Sequence, residues 1–240
     1  MMGSVRYLEK PRFKKPKAIA GFPGIANVGK LAADFMIHKL GAKKFAEIFS
    51  EHLPEWGLPE DGDIRSMRVD LYYCLPRRAN SHLILVTSDA QATSPIGQYI
   101  LSDEIIDVLE RTGTDMVGSM AAYAAETGES RKTVLGVATT ERALEALKRA
   151  GVEILSEGVI VGMNGLIPAM AALKGIDGFC VLGVTKGNRI IDPVASDAVI
   201  KAICSILNFR MDSSELLEQF GSLSGRLIEP GGEEETKYIG

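Results

Sequence analysis

Residues 21–31 carry the glycines and the lysine of a phosphate-binding loop. Gly24 and Gly29 are separated by four residues and Lys30 follows directly, which is the spacing of the P-loop of nucleotide-binding enzymes. In a P-loop, backbone N–H groups surround the phosphates, the lysine contacts them, and a Ser or Thr at the next position binds magnesium. Here the next residue is Leu31, which has no oxygen. The run therefore predicts either a nucleotide site or a tight strand-to-helix turn.

A second polar group follows the apolar run 83–87 and includes Asp89, the best acidic candidate for a magnesium partner. Open α/β sheets bind ligands at the carboxyl ends of their strands, so this group predicts a small-ligand pocket. The alternative is ordinary turn chemistry and a helix N-cap. The predicted ligand pocket consists of Gly24, Asn27, Lys30, Asp89, Gln91, Tyr99 and Asn164.

Other catalytic and metal-binding patterns are poorly supported. The glycine-rich run 158–166 lacks the third glycine of a dinucleotide fingerprint, and it predicts a structural strand-to-helix turn at the same end of the sheet. No Gly-x-Ser-x-Gly motif is present, and the histidine spacing does not match a metal site. Cys74, Cys180 and Cys204 lie far apart and are predicted to be buried, reduced thiols. We expect no catalytic residue, no metal and no cofactor.

The elements that must position these residues alternate between strand and helix patterns. The predicted strands cover residues 17–21, 45–50, 69–75, 82–87, 116–123, 134–138, 159–162 and 179–185. The predicted helices cover residues 27–40, 95–111, 140–150, 165–173 and 192–207, and residues 53–66 are predicted to be a loop. Alternation of this kind is typical of an α/β domain with a mixed, largely parallel sheet covered on both faces. The pair 69–75 and 82–87 predicts an antiparallel hairpin.

Composition restricts the class of function. The net charge of −4 and the pI of about 5.5 argue against general nucleic-acid binding, and the sequence shows no membrane-spanning run and no signal-peptide pattern. We expect a cytoplasmic protein without a membrane partner. Residues 1–224 are predicted to form one domain with a short basic N-terminal arm. Residues 225–240, with three consecutive glutamates, are predicted to be a flexible acidic tail.

Taken together, four stretches of the chain resemble the archaeal branch of the proteasome assembly chaperone family. They are residues 21–30, 89–91 with 97–99, 158–166, and 192–195. The resemblance implies a nucleoside-phosphorylase-like, three-layer α/β/α sandwich without known catalysis. It also implies a chaperone-like homo-oligomer that binds proteasome α-subunits and assists proteasome assembly or activation.

The resemblance also implies a partner-binding role for the residues Tyr238, Ile239 and Gly240. Some relatives carry a hydrophobic-Tyr-any tripeptide there, whereas this chain has Tyr238 one position earlier, after Lys237. A Gly-Gly-Tyr of relatives corresponds to residues 121–123 here, which read Ala-Ala-Tyr. The alternative function is a nucleotide- or nucleoside-binding enzyme that uses the loops 21–30 and 89–99.

Overall fold

Eleven strands and six helices form the part of the chain that the computed structural model describes, residues 4–125 and 133–220. The strands are β1 (Ser4–Tyr7), β2 (Lys17–Gly21), β3 (Lys43–Phe49), β4 (Gly57–Glu60), β5 (Asp63–Ser66), β6 (Val69–Cys74), β7 (Leu83–Ser88), β8 (Met116–Ala124), β9 (Val134–Ala138), β10 (Glu153–Ile154) and β11 (Asp177–Thr185). The helices are α1 (Val28–Lys39), α2 (Pro95–Arg111), α3 (Glu141–Arg149), α4 (Met163–Leu173), α5 (Pro193–Ile206) and α6 (Ser214–Phe220).

Nine strands form one mixed sheet in the order β1-β3-β6-β7-β2-β8-β11-β9-β10. The four central strands, β7, β2, β8 and β11, are parallel to one another, and antiparallel pairs flank them on both sides. The predicted mixed, largely parallel sheet is therefore confirmed. The predicted hairpin is confirmed as well, because β6 pairs with β7 in antiparallel register from Val69–Ser88 to Cys74–Leu83.

Helices cover both faces of this sheet and produce the predicted three layers. Ile19 of β2 and Leu85 of β7 pack in the core shared with α1, α3, α5 and α6. Ala18, Ala20 and Ile84 point to the opposite face, where α2 and α4 lie. Successive residues of a strand face opposite sides, so a strand buried on both sides needs a continuous apolar run. This requirement explains why the central strands were readable from the sequence.

Side-chain oxygens at the helix N-termini set where three helices begin. Ser94 accepts a hydrogen bond from the N–H three residues later at 3.1 Å, and Pro95 follows it as the first residue of α2. Thr140 accepts the equivalent bond at 3.3 Å. Asp192 accepts from the N–H groups of Val194 and Ala195 at 3.1 and 3.0 Å. Such caps satisfy backbone donors that have no partner within the helix, so these three side chains fix where their helices begin.

Two local predictions were wrong. Residues 53–66, predicted as a loop, contain the antiparallel hairpin β4–β5, in which Leu58 pairs with Arg65. Residues 159–162, predicted as a strand, carry no strand; the short strand β10 lies earlier, at Glu153–Ile154. In the N-terminal region, Ser4–Tyr7 forms the edge strand β1 beside β3. Residues 225–240 lie outside the described residues, so the domain boundary at 224 stays a prediction.

Candidate functional site

An open pocket of about 910 Å³, which we call the edge pocket, lies at the carboxyl ends of the central parallel strands. Five of the seven predicted ligand-pocket residues line it: Gly24, Asn27, Asp89, Gln91 and Asn164. Residues 158–162 of the second glycine-rich run line the same pocket, at the end of the sheet where they were predicted. The structure thus brings both glycine-rich turns to the position where α/β sheets bind ligands.

The first turn, between β2 and α1, is sharp and closely packed. A Cβ atom added at Gly21 would lie 2.3 Å from the carbonyl oxygen of Gly29, and one added at Gly29 would lie 2.1 Å from that of Met120. Real Cβ atoms do not approach backbone oxygens this closely. Ala26 and Asn27 have φ values of +49° and +47°, which non-glycine residues rarely adopt. Two glycines are therefore needed here to let helix α1 approach the sheet.

Lys30 points away from the edge pocket, toward carboxylates. Its Nζ lies 2.8 Å from Asp34 Oδ1 and 3.6 Å from Asp89 Oδ1, and it lines a separate charged pocket. Asp89 also accepts a 2.6 Å hydrogen bond from Arg65 of the β4–β5 hairpin. Burial opposes ionisation of Asp89, but the bond from Arg65 and the charges of Lys30 and Arg65 lower its pKa overall. In a P-loop, by contrast, the lysine contacts the phosphates.

Two amide side chains tie the two glycine-rich turns together. The buried Asn164 accepts a hydrogen bond from the Phe22 N–H at 3.3 Å and donates one to the Phe22 carbonyl at 3.4 Å. Gln91 donates to the carbonyl of Pro23 at 2.6 Å and accepts from the N–H of Met163 at 2.7 Å. The second contact caps the N-terminus of α4, whose N-cap residue provides no side-chain bond. Both amides therefore hold the walls of the edge pocket in place.

Tyr99 and the C-terminal residues stand apart from this pocket. Tyr99 is exposed on α2 and does not line the edge pocket. Tyr238, Ile239 and Gly240 lie outside the described residues. The five predicted residues that line the edge pocket converge because they lie in turns or at a helix start at one end of the sheet, whereas Tyr99 lies one helical turn further along α2.

Four exposed apolar side chains at the edge pocket, which we call the apolar rim, were missed by the sequence reasoning. The apolar rim consists of Ile25, Trp56, Val159 and Val161. Val159 and Val161 are 87% and 82% exposed. The available signal was misread, because a Val-Ile-Val run next to glycines was interpreted as a strand.

The remaining functional predictions concern metals, thiols and membranes. Among the described residues, no group of His, Cys, Asp or Glu side chains has a metal-binding arrangement. The three cysteines are free thiols, of which Cys180 is buried and Cys74 and Cys204 are half-buried. Burial raises the pKa of Cys180 and Cys74 to about 12. Within residues 4–125 and 133–220, no helix has the length and apolar character to cross a bilayer.

Comparisons with known proteins extend across nearly the whole chain. It is 33% identical over 239 residues to an uncharacterized protein of Methanocaldococcus jannaschii, covering 92% of this chain and 91% of that one. It is 31% identical to the archaeal proteasome activator PbaB of Pyrococcus furiosus, with a TM-score of 0.84 and coverage of 92% and 95%. PbaA of the same organism, an archaeal homolog of proteasome-assembly chaperone, shares the fold at 24% identity, a TM-score of 0.77 and coverage of 92% and 93%. Residues 18–226 match the PAC2 family. The chain therefore belongs to the PAC2 family.

Proposed function

We propose that this protein assists proteasome assembly or activation, and that it does so as a homo-oligomer that binds proteasome α-subunits. The observation that carries the proposal is the similarity to the proteasome activator PbaB, at 31% identity over 92% of the chain. The match to the PAC2 family supports the same role.

The state of the polar groups at the edge pocket supports a protein-binding role over catalysis. Lys30 is engaged by two carboxylates, and both amide groups of Gln91 and Asn164 bond to the backbone. A catalytic group must be able to reach the atom with which it exchanges a proton or electron pair. Here these polar atoms are already bonded to carboxylates or to the backbone of the turns, and they stabilise the turns.

The apolar rim supports a contact with another protein surface. Exposed apolar side chains that are scattered singly need no explanation, whereas a contiguous group around a concave surface is typical of an interaction site. Trp56 lies in this group, and tryptophan is enriched among residues that dominate binding energy. We assign this surface to the contact between copies of the chain.

Light scattering tests the self-association. The wild-type protein is expected to have a solution mass above that of one 25.8 kDa chain. The variant Val159→Asp/Val161→Asp is expected to lose that excess mass because it would bury two charges at the contact. Leu173→Asp is the control, since Leu173 is 86% exposed and lies at the far end of α4. A monomeric wild-type protein, or a wild-type mass in the Val159/Val161 variant, would contradict the assignment.

A pull-down against purified proteasome α-subunit rings tests the partner. The full chain is expected to be retained, and removal of residues 229–240 is expected to weaken retention. If the full chain does not bind, the partner is wrong. Equal retention of both forms would remove only the C-terminal residues from the proposal.

A second function is favoured by one observation, the position and volume of the edge pocket at the carboxyl ends of parallel strands. A nucleotide- or nucleoside-binding enzyme would use this pocket through loops 21–30 and 89–99. Calorimetric titration with ATP and with adenosine distinguishes the two functions. Saturable binding of either compound would favour the second one, and no binding would count against it.

A further inference from the structure

A groove of about 580 Å³ on another part of the surface carries a concentration of positive charge. We call it the arginine groove. It lies between the end of α1, the turn joining β6 and β7, and the segment between α5 and α6. Its charged lining consists of Lys39, Arg77, Arg78, Arg210 and Asp212. Leu75, which is 59% exposed, and Met211 contribute apolar walls.

The positive charge of this groove is largely unneutralised. Lys39 pairs with Glu215 at 2.5 Å, and the Asp212 carboxylate accepts the N–H of Ser214 at 3.0 Å. Arg77, Arg78 and Arg210 are exposed and pair with no acidic side chain in the described parts of the chain. Three guanidinium groups therefore face a surface with apolar walls, which is the arrangement that binds acidic segments by charge-assisted hydrogen bonds.

The same chain contains a segment of matching chemistry. Residues 227–235 read Leu-Ile-Glu-Pro-Gly-Gly-Glu-Glu-Glu, with two apolar residues followed by four glutamates and no basic residue. The chain as a whole is only weakly acidic, with a net charge of −4, so this segment is a local concentration of negative charge. Its apolar and acidic residues match in kind the apolar walls and the arginines of the groove.

The chain that follows α6 is long enough for residues 227–235 to contact the arginine groove. Met211 and Asp212 of the groove lie just before α6, and the seven residues of this helix span about 10 Å. Glu229 is nine residues beyond Phe220, the last residue of α6. Nine residues can extend to about 30 Å, so the segment can return along α6 to the groove. A tethered segment also has a high effective concentration at a nearby site.

We propose that residues 227–235 bind in the arginine groove of their own chain. Bound in this way, the segment keeps Tyr238, three residues beyond Glu235, beside the groove and away from a partner. This consequence rests on the proposed binding of α-subunits, whereas the intramolecular contact does not. Release of the segment from the groove would make the C-terminal residues available to bind α-subunits.

Fluorescence anisotropy of a dye attached to Thr236→Cys in the full chain tests the contact. The introduced thiol is expected to react selectively, because burial raises the pKa of the native thiols to between about 11 and about 12. The anisotropy is expected to be high in the otherwise wild-type chain. It is expected to fall in Glu233→Gln/Glu234→Gln/Glu235→Gln, a change that leaves every residue lining the groove untouched.

Charge reversal on the groove side completes the test. Arg77→Glu/Arg78→Glu is expected to lose the same excess anisotropy, while the control Lys14→Glu/Lys15→Glu, an exposed basic pair outside the groove, keeps it. Raising the salt from about 0.1 M to about 1 M should also remove the excess, since the Debye length falls from about 10 Å to about 3 Å. Equal anisotropy in the wild type and the glutamine variant would overturn the proposal.

A mixing experiment identifies which chain supplies the groove. Excess unlabelled wild-type protein is added to the labelled Arg77→Glu/Arg78→Glu variant. Recovery of the anisotropy would assign the groove to a second copy and refute the intramolecular contact; no recovery is expected. In the α-subunit pull-down, the same variant should be retained more strongly than wild type. If the wild type shows high anisotropy but binds no α-subunits, only the proposed function fails.

Discussion

Substitutions in the glycine-rich turn test its close packing by the sign of their effect on stability. Gly29 is the second residue of α1. Helix propensity alone predicts that Gly29→Ala stabilises the protein by up to about 1 kcal/mol. The structure predicts the opposite, because the new Cβ would lie 2.1 Å from the Met120 carbonyl oxygen. That oxygen belongs to the central strand β8 and cannot rotate away.

The expected loss follows from the cost of inserting an atom into a closely packed interior. Such insertions cost about 1 to 3 kcal/mol, and more where backbone must move. Here the atoms nearest to the new Cβ are backbone atoms of Met120 and Phe22. We therefore expect Gly29→Ala to lower the free energy of unfolding by about 3 kcal/mol, after the gain in helix propensity is subtracted. In a protein of this size, 1 kcal/mol corresponds to about 2 to 4 °C in the unfolding temperature. The unfolding midpoint should therefore fall by roughly 6 to 12 °C.

Two variants from the same turn serve as matched controls. A Cβ at Gly24 would have Asn164 Nδ2 as its nearest neighbour, at 3.9 Å, and the backbone there is extended. Gly24→Ala is therefore expected to stay within about 0.5 kcal/mol of wild type. Lys30→Met keeps the aliphatic stem and removes partly exposed ion pairs, which are worth about 1 kcal/mol or less. Urea denaturation measures all three. A Gly29→Ala protein as stable as wild type would refute the packing argument.

Three further predictions concern other parts of the fold. Asp192→Ala should lower the free energy of unfolding, measured by urea denaturation, by about 1 to 2 kcal/mol, because it removes the buried N-cap of α5. Asp89 has a lowered pKa, so its ionised form stabilises the fold above its unfolded pKa of about 4, and this stability is lost as the pH falls through its folded pKa. The stability difference between wild type and Asp89→Asn should be under about 1 kcal/mol at pH 7, because the Asp89 side chain is partly exposed, and it should shrink below about pH 4. Cys180 should resist a thiol reagent at pH 8 until the protein unfolds, because burial raises its pKa to about 12.

The sheet and its covering helices could be predicted because their burial is visible along the sequence. A strand covered on both faces is buried along its whole length, and in β7 the first four residues, 83–86, are all apolar. Helix α2 begins at Pro95, directly after its N-cap Ser94, and ends at Arg111, at the predicted bounds. In these elements local chemistry and tertiary burial require the same residues, so the sequence alone is sufficient.

The hairpin β4–β5 was missed although its turn, Asp61-Gly62, is a dipeptide typical of tight hairpin turns. Its residues are largely exposed, it contains Pro59, and its turn residue Asp61 has a φ of +51°. An ion pair from Arg65 to Asp89 connects it to the end of β7. Contacts between segments 24 residues apart leave no periodic pattern in the sequence. The polar residues of the edge pocket were identified by their place at strand ends, whereas Val159 and Val161 of the apolar rim were missed because they were assigned to a strand.

At the edge pocket the polar side chains are bonded to one another or to the backbone, and the most exposed side chains are apolar. The carboxylates and Lys30 neutralise one another beside the pocket, and the amides of Gln91 and Asn164 fix the backbone of its walls. Side chains held in this way lose little further freedom when another molecule binds, which lowers the entropic cost of association. The groups left exposed are apolar, Val159 and Val161 above all. A rigid frame with exposed apolar side chains provides area for a protein contact and few free groups for proton transfer. The glycine spacing that resembles a P-loop is therefore explained by the close approach of α1 to the sheet.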